Sequence, residues 1–91
     1  MARRRKQPEE VTSAFWDQIE RDYTLDPAQR MLVVLGRQAW ARWDECRRRL
    51  DTEGVLIAGS RGRTRLNPLV SAEARSREAL LKVLASFNFG E

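Results

Sequence analysis

Apolar residues recur along this chain at helical intervals, in three blocks separated by two short breaks rich in turn-forming residues. In the first block Phe15, Trp16, Ile19 and Tyr23 fall on one side of a helix. Pro8-Glu9-Glu10 suits its opening, because proline is preset for a first helical turn and acids favour the positive end of the helix dipole. Asp17 and Arg21 stand one turn apart, as a supporting ion pair. In the second block Leu32, Leu35, Ala39, Trp43, Cys46 and Leu50 form a seam with a coiled-coil rhythm, and Trp40 widens it by one step. Asp26-Pro27-Ala28-Gln29 reads as a cap, a first-turn proline and a near capping box, so the second helix opens here. It should run to Glu53 and stop at Gly54, the usual left-handed terminator. Gly36, inside it, marks a kink or a close helix contact, since glycine there costs about 1 kcal/mol against alanine. In the third block Leu69, Ala72, Ser76, Leu80, Val83 and Phe87 share one face, after the cap-and-proline pair Asn67-Pro68. Glu78 precedes Lys82 in the favoured order for an ion pair one turn apart, and Phe89-Gly90 close the helix.

Between the second and third blocks, Val55-Leu56-Ile57 is answered by Thr64-Arg65-Leu66 across Gly59-Ser60-Arg61-Gly62. A small hairpin and an extended, glycine-punctuated crossover both satisfy this pattern. The predicted architecture is therefore mostly α: three helices with a long central one, and a Gly/Arg-rich crossover or hairpin before the last. Residues 1–8 are expected to form a mobile basic arm and residues 9–91 a single helical domain. At 91 residues such a domain buries roughly 60–65% of its unfolded surface, so its own core is thin.

Charge changes this picture by its distribution. The chain carries 17 basic and 13 acidic groups, but the helical stretches are close to neutral. Residues 54–70 hold Arg61, Arg63 and Arg65 with no acid, and the chain opens on Arg3-Arg4-Arg5-Lys6. Both are places where long cations reach a polyanion without being tied up along a helix. Arg47-Arg48-Arg49, by contrast, is interleaved with Asp44, Glu45, Asp51 and Glu53 and reads as a solvated, ion-paired face. Arginine outnumbers lysine fifteen to two. Bidentate phosphate recognition and a GC-rich codon bias both produce that ratio, so position carries more information than number.

Several chemistries are missing from the residue inventory. There is no histidine, hence no Ser-His-Asp or Cys-His arrangement, and a lone cysteine builds neither a disulfide nor a cysteine-rich zinc site. Gly59-Ser60-Arg61-Gly62-Arg63-Thr64 lacks the spacing and the lysine of a phosphate-binding loop. Asp44 and Glu45 are neighbours on a helix and point apart, which suits no acid/base pair. The chain is expected to be non-enzymatic, without metal or cofactor. No apolar run approaches the ~20 residues of a membrane span, and nothing resembles a signal peptide, so a soluble intracellular protein is expected. Cys46, within the seam, reads as a small buried hydrophobe.

Tyr23-Thr24-Leu25-Asp26 before a long helix, Gly54 closing it, the turn Gly59-Ser60-Arg61-Gly62, and Asn67-Pro68-Leu69 leading into a charged helix with Arg75 resemble the small subunit of a bacteriophage terminase. The similarity is to the short, all-helical family of tailed phages and prophages, and spans roughly residues 14–87. It implies a non-catalytic subunit that binds double-stranded viral DNA, forms a homo-oligomer such as a ring, and recruits and regulates a large ATPase-nuclease subunit in the bacterial host cytoplasm.

On the residues, Arg3, Arg4, Arg5, Lys6, Arg61, Arg63 and Arg65 are the candidate DNA contacts. Leu32, Leu35, Ala39, Trp40 and Trp43 are the candidate oligomer interface, because their apolar surface exceeds what three helices can hide. Two other readings are a transcription-regulator-like DNA binder and a structural protein–protein adaptor with merely solubilising arginines. A helix-turn-helix needs a second helix free to enter a groove, and the helix after Asp26 is too apolar on one face for that.

Overall fold

A computed structural model describes residues 8–87, with side chains described from residue 13. Helix α1 (Pro8–Asp22) leads into α2 (Pro27–Glu53). A hairpin of β1 (Leu56–Ala58) and β2 (Thr64–Leu66) follows, with a tight turn through Ser60–Gly62 at its tip. Helix α3 (Leu69–Ser86) then runs back along α2. At 27 residues α2 is the spine, and at 1.5 Å per residue it spans about 40 Å.

The capping box that opens α2 is complete. The Gln29 amide donates to Asp26 Oδ1 at 2.8 Å, and the Asp26 amide donates to Gln29 Oε1 at 3.0 Å. Two of the helix's orphan donors are thereby satisfied reciprocally. The helix ends at Gly54, as its sequence predicts, but with φ 86° and ψ 162° rather than in the left-handed helical well. That extended region with positive φ is open essentially to glycine alone.

The core gathers where all three helices meet. Trp16, Ile19, Leu25, Val33 and Leu80 are buried, and Phe15, Trp40, Val83, Leu84 and Phe87 pack around them. The ring centroid of Trp16 lies 5.0 Å from that of Phe15 and 6.3 Å from those of Trp40 and Phe87, mostly edge-on or tilted. The expected close approach at Gly36 is to this indole: the ring lies directly over the Gly36 backbone.

Two details depart from the pattern in the sequence. Helix α1 ends at Asp22, so Tyr23 leaves the apolar stripe and is exposed, and Leu25 from the connecting turn fills the core instead. Helix α2 also carries two inward stripes rather than one seam. Val33, Gly36, Trp40 and Asp44 face the α1 side, while Leu32, Ala39, Trp43, Cys46 and Leu50 are half-buried on the side that meets α3. Leu35, assigned to the seam, is 46% exposed, and the most buried side chain of α2 is Val33 at 1%. A helix held between two others must bury two faces, which a single periodic stripe does not describe.

Candidate nucleic-acid interface

The basic segment after α2 folds as the hairpin, with Leu56 opposite Leu66, Ile57 opposite Arg65 and Ala58 opposite Thr64. Its base is tied by the Asn67 amide, which donates to the Val55 carbonyl at 2.7 Å. Asn67 is 2% exposed and joins three elements. Its Nδ2 donates to the Gly54 carbonyl at 3.0 Å, and its Oδ1 accepts the Leu69 amide at 3.0 Å. The end of α2, the foot of the hairpin and the start of α3 are thus held by one side chain. Asparagine suits the position because it supplies both a donor and an acceptor.

At the tip the chain reverses between Gly59 and Arg63, whose backbone groups bond directly, and Arg63 also donates to the Ser60 carbonyl at 3.2 Å. The reversal needs positive φ at two successive residues, Arg61 at 58° and Gly62 at 74°. An arginine in this region costs about 1 kcal/mol or more relative to ordinary backbone. Arg63 and Arg65 are two residues apart in extended backbone and so point to one face of β2. The aliphatic stem of Arg65 crosses over Gly59, where a Cβ would meet its Cγ and Cδ at 3.5 Å. All three arginines are exposed, and among the described residues none of their guanidiniums is in an ion pair or hydrogen bond.

The arginines of α2 are arranged differently. Asp44, 5% exposed, is clasped by Arg47 at 2.8 Å and by Arg48, both on its own helix. Arg47 also lies 5.1 Å from the centroid of the Trp43 ring, within cation–π range. Arg49 bonds to Glu53 at 2.9 Å. Arg37 reaches across to α1, bonding Asp17 at 2.7 Å with Glu20 at 3.6 Å. The Arg37 guanidinium beside Asp17 holds that carboxyl below its ordinary value, helped by Ser13 and Arg21. Asp17 thus finds its main partner on the next helix rather than in Arg21, whose guanidinium donates to Gln18. A groove of about 510 Å³ beside these pairs is lined by Asp44 and by Arg37, Arg48 and Arg49, whose guanidiniums carboxylates already hold.

The structure separates the other residues singled out from sequence. Arg3, Arg4, Arg5 and Lys6 lie outside the described residues, as do Phe89 and Gly90. Of the five interface candidates, Leu32 and Ala39 are half-buried and Leu35 faces solvent. Trp40 packs on Phe15 at 5.5 Å, and Trp43 donates from Nε1 to Glu73 on α3 at 2.9 Å. Both tryptophans therefore make contacts within the protomer. Asn67 and Asp44 are the functional-looking polar residues that periodicity alone does not single out as buried. The 3, 4, 4 spacing of Val33, Gly36, Trp40 and Asp44 is the signal that would have exposed the second stripe.

Among the described residues no group of three or more carboxylates or thiols could hold a metal, and no helix is long and apolar enough to cross a membrane. The fold and surface define a small three-helix protein that presents an arginine-bearing hairpin beside a long helix. A family model described as phage terminase, small subunit, matches residues 13–90, and the chain belongs to that family. Its role is accordingly in phage DNA packaging. No curated protein and no solved structure matches it.

Proposed function

We propose that this chain is the DNA-recognition and adaptor subunit of its packaging apparatus. It grips double-stranded viral DNA through Arg61, Arg63 and Arg65, assisted by Arg3, Arg4, Arg5 and Lys6. The observation that carries this reading is the contrast in pairing: the hairpin guanidiniums have no carboxylate partners among the described residues, whereas Arg47, Arg48 and Arg49 are all engaged. Free cations release counterions from DNA on binding, while paired ones must first give up a protein partner. The subunit recruits and regulates a large ATPase-nuclease subunit in the host cytoplasm and performs no catalysis itself, in keeping with its family.

Binding to duplex DNA at several salt concentrations tests the reading. Each phosphate contact contributes about 0.9 to the slope of log affinity against log salt. Replacing the three hairpin arginines with Gln should weaken binding and flatten the slope by roughly 2 to 3. The corresponding triple change at Arg47, Arg48 and Arg49 should alter it little, and equal losses in both variants would refute the assignment.

Self-association belongs to the same proposal. Five buried apolar side chains make a small core, while Val55, Leu56, Leu66 and Leu81 are exposed on the hairpin and α3. Burial of part of that surface between protomers would supply stability that the isolated chain lacks. Light scattering should show a homo-oligomer, and a monomer at every concentration up to high micromolar would exclude one.

A further inference from the structure

A second surface lies on the helical body, away from the hairpin. Between α2 and α3 runs an open groove of about 320 Å³ whose floor is apolar: Leu35 and Ala39 from one helix, Ala79 and Val83 from the other. The two alanines keep the floor low, and Met31 and Val34, both exposed, extend the apolar strip one turn further along α2. Arg42 and Arg75 also line this groove, one from each helix, and both are exposed. Neither is in an ion pair among the described residues, although Arg37, Arg47, Arg48, Arg49 and Arg77 on the same two helices are. Arg42 stands twelve residues before Gly54, about 18 Å along the helix from the foot of the hairpin.

We infer that this groove docks an acidic amphipathic helix of another protein. An apolar floor with small side chains receives a helix by its apolar stripe, and unpaired cations on its border select carboxylates flanking that stripe. Nucleic acid is the weaker match, because a phosphate backbone offers nothing to Leu35, Ala39 and Val83. A second copy laid symmetrically on the same groove would bring a surface bearing the same two cations, Arg42 and Arg75, and no acid among its lining residues, so like charges would face one another. The surface is independent of the hairpin and does not require the DNA reading to hold.

The probes are two synthetic amphipathic peptides of roughly 18 residues, enough for about five helical turns. Each has one leucine stripe, flanked by glutamates in the first and by lysines in the second. By fluorescence anisotropy with the full chain, the glutamate peptide should bind at least about tenfold more tightly than the lysine peptide, a gap of about 1.4 kcal/mol. Arg42→Glu/Arg75→Glu should reverse that preference. Ala79→Trp, which fills the floor, should abolish binding of both peptides while circular dichroism and the melting transition stay near wild type. No binding, equal binding of the two peptides, or a preference unchanged in the double variant overturns the inference. So does a double variant that loses DNA affinity and salt slope as the hairpin variant does, which would assign the two arginines to DNA. Conversion of a wild-type oligomer to smaller species by the double variant, without any change in peptide preference, would assign the groove to a second copy and overturn it equally.

Discussion

The six-membered ring of the Trp16 indole packs against the backbone of Gly36, in space that a side chain at position 36 would occupy. A Cβ at position 36 would fall 2.9 Å from Cζ3 of that ring and nearer still to Cζ2 and Cη2. Helix α1 is seated on α2 through this contact, and the ring is fully buried.

Gly36→Ala is therefore expected to destabilise the protein although alanine is the better helix former. The propensity gain is about 1 kcal/mol, whereas overpacking a rigid ring that Phe15, Trp40 and Phe87 surround costs about 1–3 kcal/mol. Urea unfolding should show a lower midpoint. A rise in stability would mean that α1 shifts freely on α2.

Gly54 and Gly62 should be intolerant for a purely backbone reason. An added Cβ meets only the Leu56 carbonyl, at 3.6 Å, in the first case and nothing within 4 Å in the second, yet φ is 86° and 74°. Alanine at Gly62 should cost about 1–2 kcal/mol, and at Gly54, where ψ is extended, about 1–3 kcal/mol. Thermal melts of the two variants check this. Arg61→Gly should leave stability unchanged or slightly raised, because it relieves the same strain, while lowering the DNA salt slope by about 0.9 if Arg61 contacts one phosphate.

Asn67→Ala should loosen the hairpin from the helices. It removes the donor to the Gly54 carbonyl and the acceptor for the Leu69 amide in a buried position. Such unsatisfied groups cost about 1–3 kcal/mol each when water cannot replace the lost partner. Asn67→Asp keeps the acceptor but not the donor, so its loss should be intermediate at most in hydrogen bonding, with a buried charge added. Hydrogen exchange should show faster exchange at Leu69 and through β1 and β2 in the alanine variant.

Acid should weaken the α1–α2 junction through Asp17. Its carboxyl is held below the ordinary value of 3.8, chiefly by the hydrogen bond from Arg37. A group with a depressed folded-state pKa contributes stability that is present above the unfolded value and lost as pH falls through the folded one. Wild type should therefore exceed Asp17→Asn in stability at neutral pH, and the gap should close as the pH drops below about 3.8. Because the carboxylate is about half-exposed, high salt should shrink the difference as well. A gap that is independent of pH would assign it to packing rather than charge.

The ends of α2, the apolar face of α3 and the hairpin alternative were legible from local signals. Asp26-Pro27-Ala28-Gln29 is a capping box whose partners are three residues apart, so no distant contact is needed to complete it. The segment 54–70 contains no acid at any position, so its arginines could not be neutralised from within. Leu80, Val83 and Phe87 fall on the core side of α3 as their spacing requires, because that helix packs on one side.

Other features depended on where the helices lie relative to one another. The partner of Arg37 is not written in its neighbourhood: no carboxylate stands one turn away on α2, and Asp17 on α1, twenty residues earlier, holds its guanidinium. Trp40 and Trp43 read as one apolar face in the chain and are divided in space, one toward α1 and the other toward α3. The buried Asn67 and Asp44 follow the same logic, since burial of a polar group is decided by what packs over it. Local order along the chain determines which residues begin, end and line each helix, because those interactions span only a few residues. Which faces are covered is decided by contacts between residues distant in sequence, where only the packed structure sets the distance.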